Sequence, residues 1–352
     1  MILVTVLRPA RVFIEERALD YPLGKDLWDR FSAEGPPPVL IGSHNRVGLP
    51  GMKGFKAYAE AKRTLVVGVR KTLSFQSCRP SAHYQLPLVT SCPGMCEYCY
   101  LMTTLGPRPY IRVYVNLDEI LDRALEYVEK RAPQVTIFEG AATSDPLPVE
   151  PYTGALARTI TVFGRTALAR FRFATKDDGV EPLLGLEHNG HTSVRFSLNP
   201  RTVIRRHEHR VPDLERRLAA AARTAAAGYP VGFLIAPIIL EGDWRAEYGA
   251  LLDELAAALR AAGAGERTAT GVAPPPTFEL ITHRFTPKAK KTILTIFPGT
   301  TLPLDETSRR WKMGQFGYGK YVYRPEDMEE VGAFFEERIA ALFPGAEVLY
   351  LV

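Results

Sequence analysis

Thr90-Ser91-Cys92-Pro93-Gly94-Met95-Cys96-Glu97-Tyr98-Cys99-Tyr100 decides how this chain is read. Three of its four cysteines fall within these residues at the spacing C-x3-C-x2-C; the fourth is Cys78. A chain of 352 residues has ample room for a core and needs no disulfide scaffold, so such clustering reads as metal or redox chemistry. Three thiolates on a tight loop can hold three irons of a cubane cluster and leave the fourth iron open to a chelating cofactor or substrate. Pro93-Gly94 turns the loop back on itself, where backbone amides can donate to cluster sulfides. Two other readings stay open on spacing alone. One is a zinc site, for which the nearest histidine is His83, although zinc knuckles usually carry C-x2-C pairs. The other is three thiols that are merely buried.

Outward from the loop, a rhythm of short β-branched or aromatic runs and amphipathic stretches begins near residue 86. Strands are predicted at Leu86–Thr90, Gln134–Glu139, Arg170–Thr175, Thr192–Ser197, Val231–Ile238 and Thr277–Thr282. Helices are predicted over about 116–131, 151–168, 212–228 and 244–263, with Asp213 and Asp243 as caps and Gly228 as a stop. Alternation of this kind predicts a parallel α/β sheet, and periodicity does not choose between an open sheet and a curved partial barrel. Residues 1–85, broken by Gly35-Pro36-Pro37-Pro38 and Pro50-Gly51, form an N-terminal segment of unassigned fold. Residues 264–276 read as a surface loop. Beyond 283, His283-Arg284, Lys288, Lys290-Lys291 and Arg309-Arg310-Trp311-Lys312 mix basic and aromatic residues. A glycine-interrupted stretch, Phe316 to Tyr323, suits a hairpin, and a final helix is predicted over 325–342.

Hydrophobic residues at 46% and charged residues at 24% place the chain among globular proteins and exclude a disordered one. No apolar run is long enough to span a membrane, and the N-terminus lacks a basic region followed by an apolar block, so a cytoplasmic protein is expected. A net charge of +5 permits a nucleic-acid partner without requiring one.

The cysteine spacing, with Tyr98 just before the last cysteine, resembles the radical S-adenosylmethionine (AdoMet) superfamily. That resemblance implies an α/β fold with a partial (β/α)6 barrel, a [4Fe-4S] cluster on Cys92, Cys96 and Cys99, and AdoMet chelating the open iron. Reduction then yields a 5′-deoxyadenosyl radical. The likeness narrows further through Pro80-Ser81-Ala82-His83-Tyr84-Gln85-Leu86-Pro87-Leu88, Cys99-Tyr100-Leu101-Met102-Thr103-Thr104-Leu105-Gly106, Phe138-Glu139-Gly140, Thr143-Ser144-Asp145, Phe173-Ala174-Thr175-Lys176, Arg195-Phe196-Ser197-Leu198-Asn199-Pro200 and Glu279-Leu280-Ile281-Thr282-His283-Arg284-Phe285-Thr286. Over about 78–323 the sequence resembles the spore photoproduct lyase family, which reverses an ultraviolet thymine–thymine adduct in spore DNA.

The resemblance implies three parts: residues 1–85 packing on the barrel, a barrel over 86–285, and a DNA-contacting hairpin and helix over 286–352. It implies Tyr98, Ser144, Lys176, Ser197 and Ala236 around AdoMet, and Tyr100 as a hydrogen relay. Gln315, Phe316, Lys320 and Tyr321 would form a wedge entering damaged double-stranded DNA. The family commonly has an arginine and a tyrosine where this chain has Gln315 and Phe316. Arg309, Arg310 and Lys312 are further candidates for phosphate contact, against the plain reading of a solvated charged face. An electron donor such as flavodoxin or ferredoxin is implied, as is the forespore or germinating spore as the setting.

One departure stands out. The family's hydrogen-donor cysteine has Ala142 in its place here, in Gly140-Ala141-Ala142-Thr143-Ser144-Asp145, and a methyl group has no weak S–H bond to give. Three explanations stay open: an engineered variant, a lyase with another donor such as Cys78 acting through Tyr100, or a relative that no longer repairs this lesion. Return of hydrogen to the product is therefore expected to be impaired. A radical AdoMet enzyme on another substrate and a non-catalytic zinc protein that binds nucleic acid are the competing functions.

Overall fold

The computed structural model describes residues 7–352 apart from 46, 49–50, 107, 264–266, 269–270, 273, 315–316 and 318. The chain divides into two compact units that interleave in sequence: the chain up to Gly94 with Leu105–Ser193, and Met95–Thr104 with Val194–Val352. Among the described residues no helix is long and apolar enough to cross a membrane.

In the first unit, the N-terminal segment left unassigned by sequence is a parallel sheet. Its strands lie in the order Val39–Ile41, Arg11–Glu15, Thr64–Gly68 and Ile111–Tyr114, with Val89–Thr90 antiparallel at the edge. Every residue of Thr64–Gly68 is buried, which explains why no alternation marks it: a strand covered on both faces is apolar throughout. The helix Pro22–Glu34 opens with proline, whose missing N–H costs nothing in a first turn, and buries Leu27 and Phe31.

A second set of strands in this unit runs Ser77–Cys78, Ala82–Gln85, Thr136–Glu139 and Ala169–Thr175. The strand predicted at 86–90 is corrected here. Only Val89–Thr90 of it is strand, paired with Ile111–Tyr114; the strand beside Thr136–Glu139 is Ala82–Gln85, which ends before Pro87, a residue with no N–H for a ladder. Phe138, Phe163, Phe171 and Phe173 pack ring on ring behind these strands.

The helix predicted over 151–168 breaks at Gly154, which takes a left-handed conformation (φ 57°), into Glu150–Thr153 and Ala155–Gly164. The buried Glu150 carboxylate caps the second piece, accepting from Leu156 N–H (2.8 Å) and Ala157 N–H (2.9 Å). Burial pushes its carboxyl up to about 7, against those donors, which favour the charged form. A value raised from 4.5 means the folded chain holds the proton more tightly, so this contribution is full below about 4.5 and is lost as pH rises through about 7. Between about pH 5 and pH 8 the protein is expected to lose ~1–3 kcal/mol of stability relative to Glu150→Gln, which cannot titrate. Parallel pH profiles in chemical denaturation would contradict this.

In the second unit, parallel strands lie in the order Thr192–Leu198, Val231–Ile238, Thr277–Thr282 and Glu347–Leu351. Phe196, Phe233 and Phe278 are register partners in turn and stack the core through this sheet. Asp213 and Asp243 cap the helices Leu214–Ala226 and Trp244–Ala261 as expected, accepting from Arg216 N–H (3.0 Å) and Ala246 N–H (3.1 Å).

Candidate active site

The cysteine loop starts at a strained residue. Ser91 is fully buried with φ 68°, a left-handed conformation that costs a non-glycine residue on the order of 1–3 kcal/mol. Ser91 is over-determined: its N–H donates to Thr143 O (2.8 Å), its hydroxyl donates to Pro109 O (2.8 Å), and it forms a β-bridge with Ser144. Beside it, the Lys62 ammonium donates to Cys92 O at 3.0 Å.

Further along, Met95–Cys96 pairs antiparallel with Glu208–His209, placing Cys96 opposite Glu208. Glu97 N–H donates to His207 O, and the Glu97 carboxylate accepts from Thr300 Oγ1 (2.5 Å) and sits 3.0 Å from His207 Nδ1 and 2.9 Å from His209 Nε2. These contacts fix the loop between the second and third cysteines. None of the four cysteines is in a disulfide. Among the described residues, no three Cys, His, Asp or Glu side chains stand close enough to hold a single metal ion; a cubane takes one thiolate per iron and does not need that convergence. Three thiols on a braced loop, Cys96 buried and Cys92 and Cys99 half-buried, with a buried cation at the first, fit an anionic iron–sulfur cluster. His83 serves the fold: its Nδ1 accepts from Ile137 N–H (2.9 Å).

Tyr98 does not point into open space. Its hydroxyl donates to Glu208 Oε1. Burial pushes its pKa well up, and the Glu208 charge adds to that, so the phenol keeps its proton. Glu208 Oε2 pairs with Arg217 Nη2 at 2.6 Å, both side chains being fully buried. Arg217 also donates to Ser197 O (3.1 Å) and Pro212 O (2.9 Å). Asn199 donates from Nδ2 to both Glu208 Oε1 (3.1 Å) and Ala236 O (3.0 Å). Three residues singled out by sequence, Tyr98, Ser197 and Ala236, are thus tied to one knot of Glu208, Arg217 and Asn199. Sequence reasoning missed that knot. Asn199 lay inside a quoted motif, but charged residues such as Glu208 and Arg217 read as surface by default. Tyr100 is 56% exposed and opens the short helix Leu101–Thr104, its carbonyl accepting from Thr103 N–H (2.9 Å).

In the first unit, Ala142 lines a cavity of about 200 Å³ together with Arg70, Gln76, Gln85, Thr90 and Thr143. Ser144 Oγ donates to Gly140 O (3.4 Å). Lys176 is positioned through its backbone: Asp145 Oδ2 accepts from Lys176 N–H (2.8 Å) and Thr175 Oγ1 (3.0 Å). Burial pushes the Asp145 carboxyl up, opposed by these donors. Gly140 leaves no room for a side chain, since a Cβ would stand 2.7 Å from the Phe171 ring.

At the C-terminal end, Arg310–Met313 and Gly319–Val322 form a hairpin; its second strand falls in the stretch read as one, and its first is in the basic segment before it. Gln315 and Phe316 lie outside the described residues. Lys312 and Lys320 are direct cross-strand partners. Burial holds Lys320 below the usual lysine range, and the charges of Arg284 and Lys312 push the same way. Tyr321 packs its ring against Trp311 (4.9 Å) and Phe285 (5.4 Å). Two members of the basic stretch are corrected. Arg309 is buried, lies 3.4 Å from the Tyr323 ring centroid and donates to His283 O (3.0 Å). His283 is pushed down to about 3 by burial and by Arg309, so it is neutral at ordinary pH.

The family model described as spore photoproduct lyase matches residues 7–352. The chain is 45% identical over 342 residues to the spore photoproduct lyase of Clostridium acetobutylicum, covering 97% of this chain and 98% of the relative. It is also 45% identical, over 343 residues and with the same coverage, to that of Bacillus subtilis. A solved spore photoproduct lyase complexed with dinucleoside spore photoproduct matches at TM-score 0.92 and 46% identity, covering 98% of this chain and 99% of that one. A variant with one cysteine replaced by alanine and one serine by cysteine, with bound AdoMet and dinucleoside spore photoproduct, matches at TM-score 0.92, 47% identity and the same coverage. Likeness at this level shows the expected fold class, an α/β chain with a partial (β/α)6 barrel. The chain belongs to the spore photoproduct lyase family.

Proposed function

We propose that this chain is a DNA-repair lyase that reverses the spore photoproduct, 5-thyminyl-5,6-dihydrothymine, to two thymines by breaking the carbon–carbon bond between them. The observation that carries this reading is the match, over 98% of the chain, to a family structure complexed with the dinucleoside lesion. Cys92, Cys96 and Cys99 would hold the [4Fe-4S] cluster, with AdoMet near Tyr98, Ser144, Lys176, Ser197 and Ala236. When bound, cluster and AdoMet supply the radical that opens the reaction, after an electron arrives from a donor such as flavodoxin or ferredoxin. The chain's own residues do the rest. The knot of Glu208, Arg217 and Asn199 holds Tyr98 protonated and fixed. In this reading residues 86–285 form the barrel that holds the cluster and AdoMet, and 286–352 make the DNA contact; the setting that goes with it is the cytoplasm of the forespore or germinating spore. The reconstituted, reduced protein with AdoMet is expected to convert dinucleoside spore photoproduct to the thymine dinucleotide. Cleavage of AdoMet with the dinucleotide untouched would assign the chain another substrate.

Hydrogen return falls to Cys78 in this reading. Ala142 cannot donate, and Cys78 is a half-buried thiol outside any disulfide, on the strand Ser77–Cys78, whose neighbours Gln76 and Gln85 line the cavity beside Ala142. The two replaced positions of the variant bound to AdoMet and dinucleoside lesion stand 64 residues apart, the spacing of Cys78 and Ala142 here. Its serine-to-cysteine and cysteine-to-alanine changes give the same residue types at the same spacing, which supports this assignment.

The hairpin supports the DNA contact. Like charges directly opposite each other repel, so Lys312 facing Lys320, with Arg284 near, is a pattern that a phosphate relieves. Lys320→Gln is expected to weaken binding to lesion-containing duplex and to lower the slope of log K against log salt by about 0.9, one phosphate contact. An unchanged slope in a salt titration would remove Lys320 from the interface.

A further inference from the structure

We propose that Lys62 is a positioning residue for the cluster, a buried ammonium at Cys92 that raises the cluster's reduction potential; this rests on the cluster reading above. Lys62 follows the helix Gly54–Ala61 and precedes the strand Thr64–Gly68, so both elements fix its backbone. The residue is fully buried. Its Nζ lies 3.0 Å from Cys92 O, 3.4 Å from Ser91 Oγ and 3.9 Å from Cys92 Sγ, and 5.6 Å from the centroid of the Tyr58 ring.

Among the described residues, no carboxylate forms an ion pair with Lys62. The nearest acidic residue in sequence, Glu60, pairs with Arg11 at 2.7 Å. The buried Glu15 pairs with His44 (2.6 Å) and Lys71 (3.4 Å). A buried ammonium is costly unless an anion offsets it. Among the described residues, every hydrogen-bond acceptor of the Lys62 ammonium belongs to Ser91 or Cys92, the residues that begin the cysteine loop. The anion it faces is therefore Cys92 and what Cys92 binds.

A cubane on three thiolates is negative, and one-electron reduction makes it more so. A fixed cation within about 4 Å of one ligand sulfur favours the reduced form, because net charge and hydrogen bonds to the sulfurs set such potentials. A merely structural lysine would anchor the loop through Cys92 O and leave the potential alone.

Two neutral variants separate these roles. Lys62→Met keeps the stem without charge or donor; Lys62→Gln keeps a donor for Cys92 O without charge. Lys62→Arg keeps the charge. Each is reconstituted as the full chain, its iron content is measured, and its reduced cluster is counted by electron paramagnetic resonance at a series of fixed potentials. Both neutral variants are expected to show the ratio of reduced to oxidised cluster lowered about tenfold at a given potential, equivalent to about 59 mV for a one-electron couple. Lys62→Arg should recover most of it. If Lys62→Met does not fold, Lys62→Gln against Lys62→Arg carries the test. Full clusters with equal potentials in the neutral variants and the unaltered protein would overturn this proposal alone. An unaltered protein that takes up no cluster would overturn the reading beneath it as well.

Discussion

Replacing Cys78 by alanine is expected to leave scission of the lesion in place while cutting the yield of clean thymine dinucleotide by about 10²-fold, the scale of a positioned transfer group. The reason lies in the chain's own inventory. Ala142 removes one thiol from the cavity it lines, and Cys92, Cys96 and Cys99 are committed to the cluster in the proposed mechanism. Cys78 is then the remaining thiol, and its S–H is the weak bond that a thymine methyl radical can draw on. Without it the radical is left to side reactions, so trapped adducts should accumulate as the clean product falls. Placing a thiol in the cavity that Ala142 lines, by Ala142→Cys in the Cys78→Ala background, should recover most of the clean product. Product analysis by mass-resolved chromatography checks both. Unchanged clean yield from Cys78→Ala would refute the assignment, and the donor would have to be sought outside the cysteines.

Truncating Glu208 should have the largest effect on stability. Glu208 and Arg217 are both fully buried, and Arg217 has no carboxylate other than Glu208 among its ion-pair partners in the described residues. Glu208→Ala leaves a guanidinium in the core with only carbonyl acceptors, a change that costs about 3–5 kcal/mol when one partner of a buried pair is removed. It also strips an acceptor from the Tyr98 hydroxyl and one from Asn199. Chemical denaturation should show a clearly lower midpoint, and Glu208→Gln, which keeps an acceptor for Tyr98, should lose less. The exposed pair Arg123–Glu126 is the control: Glu126→Ala is expected to cost about 0–1 kcal/mol. A Glu208→Ala protein as stable as the parent would contradict the buried-knot account.

How much of this was legible in the sequence follows from where each residue's partners lie. The strands at Thr136–Glu139, Ala169–Thr175, Thr192–Leu198, Val231–Ile238 and Thr277–Thr282 fall within two residues of the expected limits, because each is an apolar run bounded by turn or cap signals. The final helix, Pro325–Leu342, has the expected limits. The N-terminal sheet escaped because Arg11–Glu15 finds its partners at Val39–Ile41 and Thr64–Gly68, the first only three residues long and the second buried throughout, so neither carries an alternation to count. Glu347–Leu351 escaped as a five-residue strand at the end of its sheet with no fully buried face. At the site, the cysteine loop was legible because its chemistry is local. Glu208, Arg217 and Lys62 were not, since a charged residue betrays its burial only through partners distant in sequence. Arg309 and His283 show the same failure in reverse: they read as part of a basic face, yet one is stacked inside the fold and the other is neutral.

The most direct test of the account is one reaction run in deuterated water. The protein is reconstituted with iron and sulfide without oxygen, exchanged into the labelled solvent, and given AdoMet, dithionite and dinucleoside spore photoproduct. A thiol exchanges its hydrogen with solvent, so the account predicts thymine dinucleotide carrying one deuterium in a thymine methyl group. Unlabelled thymine dinucleotide would contradict the thiol donor, and no thymine dinucleotide at all would contradict the repair activity itself.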